Sequence, residues 1–255
     1  MITAPVLIFI FIVGLMTGSF LNVCIYRIPL EKTIVRGRSY CPSCGSLIPW
    51  YLNIPVLSYL ALRGRCRSCK APISPVYPMV ELINALFTFL SFWLYGWTLT
   101  ALFLSIFFSI LIVISMIDLQ HQIIPDELVV TLFILGAFYA SYRVFLLHDH
   151  WYTYIIGIFA ASVPLLILGL IYPDGLGGGD VKFMAAAGLF VGWKLILLGL
   201  FLGNVIALFC VAVLFFRKKA GRKTQIPFGP FLSLGIVCAV FFGHLLISIY
   251  VELFF

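Results

Sequence analysis

The chain has 255 residues, of which 63% are hydrophobic and only 10% charged, and its mean hydropathy is +1.16. Such a composition excludes a soluble globular domain and places the chain among polytopic membrane proteins. The formal net charge of +7 is read below as a topology signal, and it argues for no nucleic-acid partner.

Apolar stretches long enough to cross roughly 30 Å of hydrocarbon fall near 5–25, 76–96, 99–117, 125–147, 151–172, 181–193, 195–216 and 227–250. The first lacks a basic leader and a small-residue cleavage site, so it reads as a retained span rather than a signal peptide. The stretch 181–193 is short for a crossing. The expected fold is an all-α polytopic membrane protein of about eight transmembrane helices, with a small cytoplasmic zinc-binding insert after the first. Three parts follow: a first helix over 1–25, a hydrophilic loop over 26–75, and a seven-helix core over 76–255.

Basic residues orient the array. With the N-terminus outside, the inner loops are 26–75, 118–124, 173–182 and 217–226. The first carries Arg27, Lys32, Arg36, Arg38, Arg63, Arg65, Arg67 and Lys70; the others add Lys182, Arg217, Lys218, Lys219, Arg222 and Lys223. Only Arg143 and Lys194 fall near the outer ends. This asymmetry is the positive-inside pattern, and the same residues suit anionic lipid headgroups.

Within loop 26–75 stand Cys41-Pro42-Ser43-Cys44 and Cys66-Arg67-Ser68-Cys69. Two Cys-x-x-Cys knuckles with 21 residues between them match a structural tetrathiolate zinc site. Two disulfides are the rival reading, disfavoured because the loop lies on the reducing side. Four thiolates leave no open position for a metal-bound water, so the zinc is expected to be structural. Cys24, Cys210 and Cys238 sit in apolar runs and read as packing residues.

Asp118 ends one apolar run, and Asp180 closes Gly177-Gly178-Gly179-Asp180 and opens another. A carboxylate near lipid is costly, so such residues usually line a protein or water-filled site. The topology puts both at the cytoplasmic face and at equal depth. Paired carboxyls that share one proton can split acid and base roles without a metal. Asp118 at a helix C-terminus is expected to start as the acid, and Asp180 at a helix N-terminus as the base. Gly175, Gly177, Gly178 and Gly179 are expected to supply positive φ and to let another backbone approach. A plain flexible turn is their bland alternative. Phosphate cradling fits poorly, since no strand precedes and no Lys-Ser/Thr follows.

Several motifs in order resemble those of the type IV prepilin peptidases. They are Gly18-Ser19-Phe20-Leu21-Asn22-Val23-Cys24-Ile25-Tyr26-Arg27-Ile28-Pro29, the paired knuckles, Tyr77-Pro78-Met79-Val80-Glu81, Asp118-Leu119 with Ile124-Pro125-Asp126, the Gly-x-Gly-Asp ending at Asp180, and Ile226-Pro227-Phe228-Gly229-Pro230. The resemblance runs from residue 18 to residue 230. It implies a bifunctional bacterial inner-membrane enzyme whose 76–255 core is an aspartyl protease. Such an enzyme cleaves the basic leader of type IV prepilins or pseudopilins at the cytoplasmic face, with Asp118 and Asp180 as protease aspartates. It then methylates the new N-terminal residue using S-adenosylmethionine. No Rossmann unit is present in 26–75 to hold that donor, so methylation rests on the resemblance alone.

Other charged residues weigh differently. Asp126 and Glu127 follow Pro125 at a helix start, where capping and dipole effects favour them; Asp126 and Lys182 are also candidates for supporting the active-site loop. Glu81 lies a few residues into the second span and is a candidate for the methyltransferase half, with an ion pair to Arg27 or Lys70 as the plainer account. His121 reads as interfacial, His148 and His150 lie on the far side, and His244 reads as a core residue. Two rivals remain. A signal-peptide-peptidase-type protease would carry Tyr where Ile117 stands. A cation transporter would place its carboxylates at mid-membrane in broken helices.

Overall fold

The computed structural model describes residues 3–35, 37–172, 177–216 and 226–254. Gly175 and the basic residues Arg36, Arg217, Lys218, Lys219, Arg222 and Lys223 lie outside them. The described residues form helices and no extended strand. Among these residues, seven helices are long and apolar enough to cross a membrane. The eighth expected span is helical but short, as its sequence indicated. The chain divides into two compact units, residues 1–113 and 114–255.

In the first unit, α1 (Ala4–Arg27) begins with Pro5, which suits a first helical turn because its missing N–H has no intrahelical partner to lose. It packs along α3 (Val76–Tyr95). Gly14 and Gly18 lie four apart and so on one face. A Cβ at Gly14 would stand 2.6 Å from the Ala85 Cα, and one at Gly18 would stand 2.7 Å from the Glu81 Cα. Small residues at this spacing bring two backbones together where lipid supplies no hydrophobic drive. Asn84, fully buried, binds the seam. Its amide nitrogen donates to the Gly14 carbonyl and to Thr17 Oγ1, each at 2.8 Å. Its carbonyl accepts from Ser109 Oγ at 2.7 Å.

Between these helices lies the insert, with the short helix α2 (Leu57–Ala61) flanked by two knuckles of the same build. Cys41 N–H donates to Ser46 O, Gly45 N–H to Cys41 O and Ile48 N–H to Ser39 O. Twenty-five residues on, Cys66 N–H donates to Ala71 O, Lys70 N–H to Cys66 O and Ile73 N–H to Gly64 O. Each knuckle closes on one antiparallel bridge, Tyr40 with Leu47 and Arg65 with Pro72. The turn needs a left-handed residue after the second cysteine. Gly45 supplies φ +69 without strain, while Lys70 adopts φ 61 as a non-glycine.

α4 (Leu99–His121) begins in the first unit and ends in the second. The second unit continues with α5 (Asp126–Leu147), α6 (Tyr152–Ile171), α7 (Gly178–Val191), α8 (Trp193–Phe216) and α9 (Gly229–Phe254). With 14 residues, α7 is about 21 Å long, too short to cross hydrocarbon alone. It does not face lipid alone, since α5, α6 and α8 pack around it and Phe183, Met184, Ala186 and Ala187 are fully buried. Gly188 meets Gly157 of α6 backbone to backbone, with no room for a Cβ on either. On α5, Tyr139 stacks on Phe190 with ring centroids 4.3 Å apart. The α5–α6 connection is pinned by Asp149, whose Oδ2 accepts from Arg143 Nε and from Tyr154 OH, both at 2.8 Å.

Candidate active site

Asp118 lies in the last turn of α4 and Asp180 in the first turn of α7. Both are buried, at 6% and 8% exposure, and both belong to the second unit. The two carboxyls are close enough to interact electrostatically. Residues 62 positions apart in the sequence are therefore brought to one place.

Their surroundings differ. Asp118 Oδ2 accepts the backbone N–H of Gly229 at 2.8 Å. Gly229 opens α9, so the positive end of that helix is aimed at Asp118. A Cβ at Gly229 would stand 2.8 Å from the same oxygen, which is why glycine fits there. Asp180 Oδ1, by contrast, is buried without a hydrogen-bond partner among the described residues. Asp118 thus meets both the C-terminus of α4, expected from sequence, and the N-terminus of α9, which was not. The signal was present in Phe228-Gly229-Pro230, where glycine and proline at a helix start mark a backbone N–H left free for another acceptor.

Gly177, Gly178 and Gly179 lead into Asp180, but positive φ is not their reason. Gly177 is extended, at φ −72, and the other two begin α7. Close approach is the reason at Gly177 and Gly179. A Cβ on Gly179 would meet the Ile124 side chain at 3.1 Å, and one on Gly177 would stand 3.3 Å from Asp180 Oδ2. Gly178 has open space around it. Asp126, the first residue of α5, accepts both contacts of Lys182 Nζ, at 2.8 and 3.1 Å. This pair is exposed, with side chains 68% and 58% accessible, and it ties the start of α5 to α7. His121 is exposed at the end of α4, and His244 is exposed rather than in the core.

In the first unit, Cys41, Cys44, Cys66 and Cys69 place their Sγ atoms within 4.8 Å of one another. That geometry suits one tetrahedral metal ion. Backbone N–H groups of Cys69 and Ser68 hold the Cys66 thiol down to about 6. The Ala71 N–H pulls Cys69 the same way, yet burial and the thiols of Cys44, Cys66 and Cys41 push it up to about 11. Four thiolates this close repel unless a cation sits among them. Cys24 is buried in α1, and Cys210 and Cys238 lie half-buried in α8 and α9, as packing residues would.

Glu81 is also buried, at 7% exposure, and its Oε2 accepts the Val56 N–H at 2.7 Å. Sequence reasoning had offered Arg27 or Lys70 as partners; the contact is instead with the backbone of the insert. Val56 was not foreseen. It is a β-branched residue at φ 59, ψ −49, a strained position that its sequence does not announce.

Residues 12–95 match the Bacterial Peptidase A24 N-terminal domain, and residues 102–212 match the Type IV leader peptidase family. Proteins named prepilin leader peptidase/N-methyltransferase are similar along most of the chain. The one from Stutzerimonas stutzeri is 33% identical over 266 residues, covering 94% of this chain and 92% of its own. That from Bacillus subtilis is 31% identical, with 96% and 97% covered. That from Myxococcus xanthus is 37% identical over 223 residues, covering 86% of this chain, which in turn spans 66% of that longer relative. No solved structure matches. By these similarities the chain belongs to the type IV leader peptidase family.

Proposed function

We propose that this multi-pass membrane protein is a bifunctional prepilin-processing enzyme. It cleaves the basic leader of a type IV prepilin or pseudopilin and then N-methylates the new N-terminal residue with S-adenosylmethionine. The observation that carries the first half is the buried pair Asp118 and Asp180 at the ends of α4 and α7. Family membership and the relatives' names support the second half. The membrane is the bacterial inner membrane, with the N-terminus outside and the aspartates facing the cytoplasm, a reading supported by the placement of Lys and Arg. A prepilin offers a basic leader at that surface and a hydrophobic helix in the bilayer, so its cleavage site lies at the depth of the pair.

Two buried carboxyls in electrostatic contact hold one proton between them. Asp118, which receives the Gly229 N–H, is the carboxylate and activates water. Asp180, whose Oδ1 has no donor, carries the proton and gives it to the scissile carbonyl oxygen. This reverses the roles inferred from helix ends alone. Gly177 and Gly178 leave room for an extended substrate beside Asp180. Lys182 and Asp126 brace the first turn of α7. The four cysteines hold zinc as a structural ion that shapes the insert, and zinc takes no part in peptide cleavage.

Cleavage and methylation of a model prepilin by purified wild type, Asp118→Asn and Asp180→Asn test the assignment. Wild type is expected to cleave and each folded variant to be inactive; cleavage by both variants overturns it. Infrared spectra assign the proton. The protonated carboxyl band should vanish in Asp180→Asn and persist in Asp118→Asn, and the opposite pattern reverses the roles.

A further inference from the structure

One side of α8 is used inside the second unit. Gly199 and Gly203 lie four apart and meet the α9 backbone at Ile236, Phe231 and Leu232. On the opposite side, Leu197, Phe201, Asn204, Leu208 and Val211 are all exposed. Their spacings of 4, 3, 4 and 3 residues make the seam by which one helix packs along another in a coiled coil. Asn204 interrupts this apolar seam midway along α8, at the depth where polar side chains are most costly. Its Nδ2 donates to Leu200 O at 2.8 Å. An amide carries two N–H donors and a carbonyl acceptor, so one donor and Oδ1 remain unused among the described residues. Thr131 and Ser141, exposed on α5, differ: each donates its single hydroxyl hydrogen to the carbonyl four residues back.

We propose that the exposed seam of α8 is where two copies of this chain pair in the membrane, their Asn204 amides hydrogen-bonded to each other. The inference is independent of the catalytic reading above. Copies of a membrane protein insert in one orientation, so a two-fold axis along the membrane normal sets two α8 helices parallel. Each residue near that axis then meets its own counterpart at its own depth. The amide is its own complement, since each can donate to the other's oxygen and accept from the other's nitrogen. An apolar span could cover the seam but would leave both groups unpaired in hydrocarbon.

The rest of the seam fits the same partner. Side chains repeating at three and four residues pack at the small left-handed crossing angle common in membrane bundles. Lipid gives such a seam no hydrophobic drive, so its stability comes from packing and from the interhelical hydrogen bonds. Asn204 also fixes the register. A slip by one turn would set each amide against Phe201 or Leu208, which offer it no hydrogen bond.

The test is dimerisation of the full chain in phosphatidylcholine vesicles, read by resonance energy transfer between donor- and acceptor-labelled copies as lipid is added. Wild type is expected to dimerise. Asn204→Leu keeps the seam apolar and suits lipid, and its dimer Kd should rise about tenfold. Asn204→Gln keeps the amide and should lose less. Cross-linking gives a second readout. Oxidation in membranes should join chains carrying Phe201→Cys, Asn204→Cys or Leu208→Cys beyond the wild-type background. It should not join Phe209→Cys, which is as exposed as Leu208 but turned about 140° from Asn204 around the helix. A chain that stays monomeric at every dilution, a dimer indifferent to Asn204→Leu, or cross-linking at residue 209 in place of the seam overturns the proposal. A monomer in which Asn204→Leu raises the KM for a full-length prepilin also overturns it and gives the seam to the substrate's span.

Discussion

Gly229 reaches across 111 positions of chain to place its N–H 2.8 Å from Asp118 Oδ2. The contact aligns one carboxyl of the pair and presents to it the start of α9. Any side chain at 229 would occupy the space the carboxyl now fills.

Gly229→Ala should therefore damage cleavage more than folding. Its added Cβ would stand 2.8 Å from Oδ2 and 3.3 Å from Cγ, so the carboxyl must rotate away, while alanine suits a helix start. A displacement of this size at a reacting group costs on the order of 100-fold in rate. Cleavage kinetics beside a melting curve provide the check; near-normal cleavage would mean that Asp118 needs no such alignment.

Metal removal should act on the insert before the membrane helices. The two knuckles contribute two thiols each and have almost no buried apolar core, Cys41 being the only buried residue among those described between 31 and 75. Sites of this kind draw their folding energy from the ion. Elemental analysis should find one zinc per wild-type chain and less in Cys44→Ser. Chelation should open residues 39–73 to protease while the helices keep their circular dichroism. An insert equally resistant with and without metal would argue against a structural ion.

Asp149 makes a pH-dependent contribution at the α5–α6 connection. Burial alone would raise its carboxyl, but hydrogen bonds from Tyr154 and Arg143 outweigh it and hold the group below the usual carboxylate range. A depressed folded value means the stabilisation is complete above the unfolded carboxylate value, about 3.9, and disappears as pH falls through the folded one. The melting-temperature gap between wild type and Asp149→Asn should be constant from about pH 5 to 8 and should close in stronger acid. A gap that widens on acidification contradicts the sign.

The aspartates, the knuckles and the long spans were legible in the sequence because each breaks its local background. A lone carboxylate ends an apolar run, thiols repeat at fixed spacing, and apolar stretches match a bilayer. What escaped depended on contacts between distant segments. Val56 has φ 59 with its N–H on Glu81, and nothing in Ile54-Pro55-Val56-Leu57 reveals that. The role of Gly229 required knowing that α9 starts beside α4. Of the two reasons expected for the glycines before Asp180, close approach applies at Gly177 and Gly179 and positive φ at none of Gly177, Gly178 and Gly179, because composition shows that a Cβ is unwelcome but not whether φ or a neighbour excludes it.

On the catalytic role proposed for Asp180, the start of α7 fixes where the enzyme can cut. Asp180 is the third residue of a helix that begins inside the second unit, so its position is measured from the helix start rather than from either membrane surface. One residue added between Gly179 and Asp180 would swing the carboxyl about 100° around the axis and shift it about 1.5 Å. The Gly-rich approach to Asp180 is thus a ruler as well as an opening. Length changes there should be lethal to cleavage even with every original side chain retained, whereas the same change at Gly192, beyond the far end of α7, should leave the carboxyl in register with Asp118. Paired single-residue insertions at the two sites, assayed for leader cleavage, read that difference directly.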